Sequence, residues 1–496
     1  MIHARSLDSA VRSHPKRPAL ISGDRRLTFC DLWERVQRIA SLLVTVGFQT
    51  GDRVAVLLPN QGEYLEAVYA CAWLGLIVVP LNTRLSVEEI DHILADAQPR
   101  GLIRHSSLPI PTEKVAWQVI LDAHELHLGT DHVAGWVCDP NAVFALLYTS
   151  GTTGKPKGVV LTHANILANV EHVGHWMPHG EGDVYLHAAP IFHIADFPLM
   201  FAAPAWGMCQ VTLAKFSPQA FCETVQREGV THTVLVPTMI NLLTQFAELH
   251  TYDLTSLKVL GYGGSPMAPP LIHRARTALP GVELIQVYGL SETGYLTGLR
   301  GAEHLEHRLT SCGRPCPGIE LRVVDERGTP TPTGRPGELL ARGANVTRGY
   351  WNKPDETARS FRGEFFRTGD VGYQDAEGFF YILDRIKDMI VTGGENVYSA
   401  EVEAVINHHP AVHEVAVFGI PDAAWGELVM ACVVLKHGAS ASAEELTNHC
   451  KRHLAHFKVP RRIEFSATEL PKGGSGKILK RDLRAQYWEH EERAVS

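Results

Sequence analysis

A loop crowded with glycine, hydroxyl and lysine side chains constrains this chain more than any other feature. Residues 147–158 read Leu-Tyr-Thr-Ser-Gly-Thr-Thr-Gly-Lys-Pro-Lys-Gly, at the end of the short apolar run 142–148. That run predicts a buried strand ending at a sheet edge, where ligands bind in open α/β folds. Glycines let backbone N–H groups surround phosphate oxygens, and lysines add positive charge. The sequence therefore predicts an α/β fold that binds polyphosphate.

The spacing within this loop excludes an ordinary P-loop ATPase. That motif needs a second glycine, a lysine and a serine or threonine at fixed distances after the first glycine. Counted from Gly151, the second glycine position holds Pro156 and the hydroxyl position holds Gly158. Counted from Gly154, the glycine and lysine positions hold valines. The alternative is a solvated surface turn, which the density of hydroxyls after an apolar strand disfavours.

Composition limits the fold and the partners. The 496 residues are too many for one core, and 45% hydrophobic with 20% charged residues is ordinary for a globular enzyme of at least two domains. A net charge of -8 argues against nucleic acid as a partner. The longest apolar stretch, 67–81, is shorter than the roughly 18 residues of a membrane span, so we expect a core helix running into a strand.

Terminal sequences and cysteines add two expectations. The first residues lack a secretory apolar run and the last three are Ala-Val-Ser, so we expect a cytoplasmic protein. The nine cysteines are scattered without a CxxC pair, so we expect buried thiols and neither a zinc site nor disulfides. A monomer and a homodimer both stay open.

Hydrophobic patterning divides the chain. Residues 27–260 alternate helical stretches such as 61–76 with β-rich runs such as 54–58, which predicts layered α/β subdomains with largely parallel sheets. Strand-like runs 319–325 and 338–342 are joined by a turn-rich segment, which predicts a hairpin or a small β-barrel. All of these belong to a large N-terminal domain.

A smaller α+β domain is predicted at the C-terminal end. A charged break near residue 384 separates an N-terminal domain, 1–384, from a domain of short alternating elements, 385–496. One of those elements is a helix from residue 443, for which Ser442 and Glu445 predict a capping box. The linker is short, so this domain can rotate without moving far away.

Polar residues follow two more apolar strands. Gln-Val-Tyr-Gly-Leu-Ser-Glu-Thr-Gly, 286–294, offers Glu292 as a ligand for Mg²⁺ and Tyr288 as a platform for a purine. The alternative is a packed tyrosine beside an exposed glutamate. Gly263 and Gly264 follow another strand and allow a flat ligand to lie against the backbone.

Two charged residues further along suit a nucleotide. Asp370, in Phe-Arg-Thr-Gly-Asp, can accept hydrogen bonds from both hydroxyls of a ribose, although turn aspartates are common. Lys477 ends the glycine-rich Leu-Pro-Lys-Gly-Gly-Ser-Gly-Lys, ahead of the basic helical stretch 478–486. There it can neutralise two anions at once; the alternative is a solvated lysine.

Together these motifs closely resemble the adenylate-forming superfamily of acyl-CoA synthetases, adenylation domains and firefly-type luciferases. The markers are Thr-Ser-Gly-Thr-Thr-Gly-Lys-Pro-Lys-Gly, Tyr-Gly-Leu-Ser-Glu, Arg-Thr-Gly-Asp, Asp-Arg-Ile-Lys-Asp and Gly-Ser-Gly-Lys, and the resemblance spans residues 27–483. It implies ATP-dependent activation of a carboxylic acid to an acyl-AMP, release of pyrophosphate, and transfer of the acyl group to the thiol of CoA.

The resemblance also implies roles for individual residues. Lys477 bridges the attacking carboxylate and the α-phosphate, Glu292 binds Mg²⁺, and Tyr288 stacks on adenine. Asp370 and Arg385 hold the ribose. The remaining implied ATP-binding residues are Thr149, Ser150, Gly151, Thr152, Thr153, Gly154, Lys157, Gly263, Gly264 and Ser291.

A rotation of the C-terminal domain after adenylation is implied as well. Lys387 corresponds to the family's hinge, and Gly393 and Gly394 to the hairpin that lines the pantetheine tunnel. The implied contacts with CoA are Trp425, Phe457 and Arg461.

The acid pocket is expected along a few segments of the N-terminal domain. Its implied lining is Phe192, His193, Asp196, Phe197, Tyr262, Gly263, Gly264 and Met267. His193 is expected to border the carboxylate; the alternative is a core histidine. These segments hold no arginine or lysine, so we expect an apolar acid, aromatic or medium-chain. Asp196 is the anomaly: it could bind a polar group of the acid or accept a proton from an amine.

Departures from the family pattern leave alternatives open. Asp384 stands where the family carries glycine, Ser291 where it carries threonine, and the apolar Val459 where some relatives carry a basic residue. The first of these can alter hinge movement, and the last weakens the assignment of CoA as the acceptor. The alternatives are acyl transfer to an amine, a non-catalytic nucleotide or acyl sensor, and an oxygen-dependent luciferase.

Overall fold

A computed structural model describes residues 3–108, 115–122, 133–135, 139–149, 156–393, 395–422, 425–473 and 478–488. The chain divides into two compact units. The first consists of Met1–Met267, Leu271–Glu320 and Ala341–Phe366, and the second of Ala268–Pro270, Leu321–Leu340 and Arg367–Ser496. The predicted domain boundary after residue 384 stays a prediction.

The first unit contains two sheets. One has nine described strands, in the order Arg314–Pro315, Gly294–Leu299, Glu283–Leu290, Val259–Gly263, His232–Leu235, Val184–His187, Cys209–Thr212, Pro18–Ser22 and Arg25–Thr28. The other has six, in the order Trp117–Ile120, Gly101–Arg104, Arg53–Leu57, Ile77–Pro80, Val143–Thr149 and Lys157–Thr162. Their central strands are parallel.

Helices alternate with strands along this part of the chain, as the sequence pattern predicts. They are His3–Ser13, Phe29–Thr45, Gly62–Leu74, Val87–Ala97, His163–Trp176, Leu199–Ala205, Pro218–Glu228, Pro237–Thr244, Pro269–Ala278 and Pro354–Arg359. The predicted α/β fold class is thereby confirmed, including the strand expected before the glycine-rich loop.

A capping box fixes the helix that follows this loop. The Thr162 side chain accepts a hydrogen bond from the backbone N–H of Asn165, whose side chain accepts one from the backbone N–H of Thr162. The helix His163–Trp176 therefore starts directly where the strand Lys157–Thr162 ends. The unit's largest apolar cluster packs behind this junction and includes Phe144.

A five-stranded sheet contains Glu320–Val324, Gly337–Arg342, Phe365–Gln374 and Phe361–Arg362 in this order, with Phe380–Arg385 paired to Phe365–Gln374. The strands predicted at 319–325 and 338–342 are adjacent in it, as expected of a hairpin. The boundary between the units falls within three of these strands.

The rest of the second unit has a sheet and core of its own. Its strands run in the order Glu395–Val397, Ile390–Thr392, Gly426–Leu435 and Val412–Asp422, with Arg462–Phe465 paired to Gly426–Leu435. Its helices are Ser399–Asn407, Ala443–His453 and Lys480–Ala485. Ser442 caps its helix as predicted by accepting the backbone N–H of Glu445, but the Glu445 side chain lies 3.3 Å from His409 and does not complete the predicted capping box.

Candidate active site

Two paired strands hold the ends of the predicted phosphate loop. Val143–Thr149 and Lys157–Thr162 run antiparallel, with Thr149 directly opposite Lys157. The loop therefore starts and ends at one point of the six-stranded sheet. The loop residues outside the described ranges are Ser150, Gly151, Thr152, Thr153 and Gly154. Their phosphate-binding role stays a prediction.

Lys157 belongs to a cluster of four polar residues of the first unit. Its ammonium pairs with the Glu356 carboxylate and lies 5.5 Å from the centroid of the Tyr350 ring. The Tyr350 hydroxyl donates a 2.8 Å hydrogen bond to Oε1 of Glu292. Burial and the charge of Glu292 raise the pKa of Tyr350, which keeps this hydroxyl protonated. We call Lys157, Glu292, Tyr350 and Glu356 the Lys157–Glu292 cluster.

Sequence reasoning missed Tyr350 and Glu356. Backbone pairing brings Tyr350 to the strand after the phosphate loop: the N–H of Val160 donates to the Gly349 carbonyl at 3.0 Å, and that of Trp351 to the Gly158 carbonyl at 2.8 Å. A pair of aromatic residues directly after a glycine is the sequence signal that points to this contact.

The turn that carries Glu292 joins two antiparallel strands, Glu283–Leu290 and Gly294–Leu299. The backbone N–H of Thr347 donates a 2.7 Å hydrogen bond to the Glu292 carbonyl. Glu292 and its neighbour Ser291 are half-buried in this turn, and Tyr288 is half-buried in the preceding strand.

The Glu292 carboxylate suits a hard divalent cation. Mg²⁺ is commonly held by one or two carboxylates together with substrate phosphates. Within the described ranges, no group of three or more histidine, cysteine, aspartate or glutamate side chains is placed to hold a metal. Glu292 is the residue that would hold such an ion.

The two glycines after the strand Val259–Gly263 differ in their surroundings. A Cβ on Gly263 would lie 2.3 Å from the Val287 carbonyl oxygen of the neighbouring strand. Gly264 has φ +80°, and a Cβ there would meet only Val236, at 3.7 Å. Strand packing therefore explains Gly263, whereas Gly264 gives the backbone the left-handed turn at the strand end.

A short segment, 189–197, brings together several predicted acid-pocket residues, and we call it the His193 turn. The backbone N–H groups of Asp196 and Phe197 both donate to the His193 carbonyl, at 3.0 and 2.9 Å. The backbone N–H of Ala195 donates to Nδ1 of His193 at 3.2 Å, so the neutral ring carries its proton on Nε2. His193 and Phe192 are half-buried.

The other predicted pocket residues are buried. Phe197 packs against Phe144 and Phe201 with ring centroids 6.0 and 5.9 Å apart. The Tyr262 hydroxyl is 2.8 Å from Nε2 of His304. Met267 lies in the same apolar cluster as Tyr262.

Asp196 is surrounded by protein groups. It is 0% exposed. The Tyr185 hydroxyl donates to its Oδ1 at 2.6 Å, and Nδ1 of His187 lies 2.8 Å from its Oδ2. This environment differs from the open pocket wall that the sequence suggests, because both carboxylate oxygens already have protein partners.

In the second unit, the predicted ribose-binding residues face each other. Asp370 and Arg385 are direct partners in paired strands, with Nε of Arg385 3.4 Å from Oδ1 of Asp370. Asp370 is 4% exposed. Burial and the Arg385 charge lower the pKa of Lys387, the predicted hinge residue.

Asp384, the departure from the family's glycine, is buried and bonded. Its Oδ1 accepts the backbone N–H of Arg385 at 2.7 Å. Its Oδ2 accepts the backbone N–H of Ser399 and, at 2.7 Å, the Ser399 hydroxyl. Lys480 in turn donates to Oγ of Ser399 at 2.6 Å and pairs with Glu403 at 2.8 Å. The carboxylate thus ties the segment before Lys387 to the start of the helix Ser399–Asn407.

The predicted acceptor-side residues form a surface of their own. The Gly393 N–H donates to the Trp425 carbonyl at 2.8 Å, and a Cβ on Gly393 would lie 2.6 Å from the Trp425 ring. The Arg461 guanidinium is 4.4 Å from the centroid of that ring. Trp425 and Phe457 are both exposed. Gly394 and Lys477 lie outside the described residues, so their roles stay predictions.

The described cysteines differ in their exposure. The described cysteines are free, and most of them are buried; Cys30 is exposed. In the portion of the chain with described structure, we find no helix with the length and apolar character needed to span a bilayer.

Comparison with known proteins covers almost the whole chain. Residues 7–351 match the family described as AMP-binding enzyme, and residues 401–477 the AMP-binding enzyme C-terminal domain. A feruloyl-CoA synthase from an Amycolatopsis species is 37% identical over 491 residues, which cover 96% of this chain and 97% of that protein.

Solved structures agree with this result. The o-succinylbenzoate CoA synthetase from Bacillus subtilis, in complex with its acyl-adenylate intermediate, has a TM-score of 0.86 and 32% identity, covering 99% of both chains. An amide bond synthetase from Marinactinospora thermotolerans has a TM-score of 0.87 and 29% identity, covering 98% of this chain and 99% of that one.

Proposed function

The chain belongs to the family of AMP-binding enzymes, and on this premise we propose that it is an AMP-forming acid–thiol ligase that uses coenzyme A. The carboxylate of the acid attacks the α-phosphorus of ATP, pyrophosphate leaves, and the thiol of CoA then displaces AMP from the acyl-AMP. The observation that carries this proposal is the 37% identity with a feruloyl-CoA synthase across 96% of the chain.

The first half-reaction joins two anions, so the protein must supply positive charge and fixed geometry. We propose that Lys157 binds the β- and γ-phosphates together with the adjoining loop. Glu356 and the Tyr350 ring orient its ammonium at the base of that loop. Glu292, oriented by the Tyr350 hydroxyl, would hold Mg²⁺, which when bound neutralises phosphate charge.

The second unit supplies the other proposed nucleotide contacts. Asp370 and Arg385 are assigned to the ribose hydroxyls, and Tyr288 of the first unit to adenine. Lys477 is assigned to the attacking carboxylate and the α-phosphate. Lys387 is assigned to a hinge about which the C-terminal domain rotates before thioester formation, when Gly393, Gly394 and Trp425 serve the thiol.

We propose an aromatic acid as the substrate. Half-buried Phe192 offers an aromatic side chain, with Tyr262 and Met267 buried in the apolar core, and the His193 turn adds a neutral ring with its proton on Nε2, suited to donate to a carboxylate. A hydroxycinnamic acid such as ferulic acid is the first acid to test, since the feruloyl-CoA synthase is similar over 97% of its length.

The decisive experiment supplies ATP, Mg²⁺ and a panel of aromatic and medium-chain acids, and measures pyrophosphate release and loss of free CoA. We expect both, with an aromatic acid preferred. Acid-dependent pyrophosphate release without consumption of CoA would reject the thiol acceptor. No acid-dependent pyrophosphate with any acid would reject adenylation itself.

A Lys477→Ala variant separates the two half-reactions. We expect it to lose formation of acyl-AMP on the order of hundreds-fold, because one positioned charge is removed, while still converting supplied acyl-AMP and CoA to the thioester. Lys472→Ala, in the same region but with its ammonium paired with Glu414 and, at 2.9 Å, with Glu469, is the matched control. Equal losses in both half-reactions would contradict the assignment of Lys477.

Acyl transfer to an amine is the second candidate function. The similarity to an amide bond synthetase, with a TM-score of 0.87, supports it. Adding a panel of amines in place of CoA to the same assay distinguishes the two: amide formation with CoA left unconsumed would favour the amine.

A further inference from the structure

A chain of buried polar side chains ends at the His193 turn. It runs from Asp196, through His187 and Gln210, to Tyr69, and all four are at most 1% exposed. Asp196 belongs to the turn itself, and the other three come from the strand Val184–His187, the neighbouring strand Cys209–Thr212 and the helix Gly62–Leu74. Buried polar groups are expensive unless each donor meets an acceptor, so the direction of every bond can be worked out.

Tyr69 fixes the orientation of the Gln210 amide. The Tyr69 hydroxyl donates its single proton to the Met200 carbonyl. Its oxygen must therefore accept at the other contact, from Nε2 of Gln210 at 3.0 Å. This places Oε1 of Gln210 towards Nε2 of His187, 3.1 Å away. An amide oxygen only accepts, so His187 carries a proton on Nε2.

Asp196 fixes the other nitrogen of His187. Nδ1 of His187 lies 2.8 Å from Oδ2 of Asp196, and the Tyr185 hydroxyl donates to Oδ1 at 2.6 Å. An ionised carboxylate that accepts at both oxygens requires a proton on Nδ1 as well. His187 is then an imidazolium, and the two residues form a charge-assisted hydrogen bond inside the core.

Other ionisable groups around Asp196 are tyrosines. Tyr64 comes from the helix Gly62–Leu74, Tyr185 from the strand Val184–His187, and Tyr295 from the strand Gly294–Leu299. Burial first, and the Asp196 charge second, raise the pKa of Tyr64, Tyr185 and Tyr295. All three stay neutral, which leaves His187 as the partner that balances the charge of Asp196 in this shell of described residues.

The same turn is held at two other points. The Asn60 amide donates to the Ala189 carbonyl at 2.6 Å and accepts the Ile191 N–H at 3.1 Å. The Tyr295 hydroxyl donates to the Ala195 carbonyl at 2.6 Å. The Asp196 side chain adds a third attachment point, and the backbone N–H of the same residue donates to the His193 carbonyl. Loss of this carboxylate therefore loosens the part of the turn that carries His193.

We propose that Asp196 and His187 are a buried imidazolium–carboxylate positioning pair, which fixes the His193 turn and thereby sets the affinity for the carboxylic acid. This rests on the proposed adenylation function and names residues that hold its acid site in place. Asp196 acts through the turn and not as a base towards an amine, because both of its oxygens are bonded and it has no exposed surface.

Steady-state kinetics of adenylation test the pair. In Asp196→Asn and His187→Gln we expect KM for the acid to rise about tenfold while KM for ATP changes less than about twofold. The double variant should be no worse than either single variant, because the two residues work as one unit. Additive effects, or an equal rise in both KM values, would overturn the proposal.

A matched control separates positioning from general loss of stability. Leu94 is buried in another apolar cluster of the same unit, which contains none of the predicted acid-pocket residues. Leu94→Ala should lower the free energy of unfolding but leave KM for the acid unchanged. If it raises KM for the acid as much as Asp196→Asn does, the proposal is wrong. A base role predicts a different result: adenylation unchanged in Asp196→Asn, with loss only in the amine-dependent step.

Nuclear magnetic resonance tests the protonation state without any assay of activity. In protein labelled with ¹⁵N-histidine, the His187 signals are those absent from His187→Gln. We expect both nitrogens to show the shift of a protonated imidazolium at neutral pH. One unprotonated nitrogen would overturn the ion pair even if adenylation is confirmed. Absence of adenylation with every acid, together with an imidazolium signal, would reject the proposed function while leaving the pair intact.

Discussion

Two carboxylates of the first unit, Asp196 and Glu292, follow the ends of strands but have different surroundings. Asp196 is fully buried, and a hydroxyl and an imidazole occupy its two oxygens. Glu292 is half-buried in a short turn, where the Tyr350 hydroxyl donates to one oxygen. The comparison shows that position in a sequence motif does not decide the role of a carboxylate. Its burial and its bonding partners tell whether it stabilises the fold or can bind a ligand.

The free energy of unfolding should therefore respond to substitution at one position and hardly at the other. Removing the Asp196 carboxylate leaves a buried cation without its partner, which lowers the free energy of unfolding in addition to loosening the His193 turn. Removing the Glu292 charge alters a half-buried group in a turn whose backbone is held independently by Thr347. That change acts mainly on catalysis.

The largest expected effect on stability is that of Asp196→Ala. We expect a loss of about 3–5 kcal/mol in the free energy of unfolding, because His187 stays buried without its carboxylate. Urea unfolding followed by tryptophan fluorescence measures it. Asp24→Ala, at an exposed turn position, is the control and should change stability by less than about 0.5 kcal/mol. Similar losses in the two variants would remove the contrast between buried and exposed carboxylates.

Glu292→Gln tests the other half of the comparison. We expect acid-dependent pyrophosphate exchange to fall on the order of a hundredfold, because a positioned charge is lost. The free energy of unfolding should stay within about 0.5 kcal/mol of the wild type. Glu306→Gln, at an exposed position, controls for loss of a surface charge. If Glu292→Gln were strongly destabilised but kept normal pyrophosphate exchange, Glu292 would be a residue that stabilises the fold and not one that binds a ligand.

Much of this architecture could be predicted from local patterns. An apolar run predicted the strand before the phosphate loop, and Ser442 predicted a helix start, because both depend on residues close in sequence. The family resemblance added the order of the motifs. Membership of the family is confirmed, whereas the cytoplasmic location, the oligomeric state and the individual site roles stay predictions.

What the sequence could not show depends on contacts between distant segments. Asp196 and Asp384 both stand out as anomalies in the sequence, but only packing reveals that buried groups bind each of them. Tyr350 and Glu356 meet Lys157 through backbone pairing across a long sequence separation. Hydrophobic periodicity in the sequence predicts helices and strands, but it does not show which distant side chains meet.

A third prediction compares His187 with His163, another buried histidine of the first unit. His163 lies against the Phe144 ring, with centroids 4.9 Å apart, and burial lowers its pKa to about 4. Its folded form is neutral, whereas the unfolded chain takes up a proton near pH 6.5. The stability that depends on a neutral His163 is therefore fully present above pH 6.5 and is lost as the pH falls towards 4.

We expect His163 to account for about 2 kcal/mol of the stability lost between pH 7 and pH 5. Urea unfolding of the wild type and of His163→Gln at both values measures the difference. The variant should show the smaller loss. His187→Gln leaves His163 in place, so it should not reduce the loss in the same way. Equal pH dependence in all three proteins would contradict this distinction.

The smallest expected effect is that of Tyr350→Phe. The variant keeps the ring that lies 5.5 Å from the Lys157 ammonium and removes only the hydroxyl that orients Glu292. One hydrogen bond contributes about 1 kcal/mol, so exchange should fall about fivefold. In the Glu292→Gln background the same change should have almost no effect, because the charge that the hydroxyl orients is already gone. An undiminished effect there would mean that Tyr350 acts through Lys157, and Glu292 would then lose its place as the centre of the cluster.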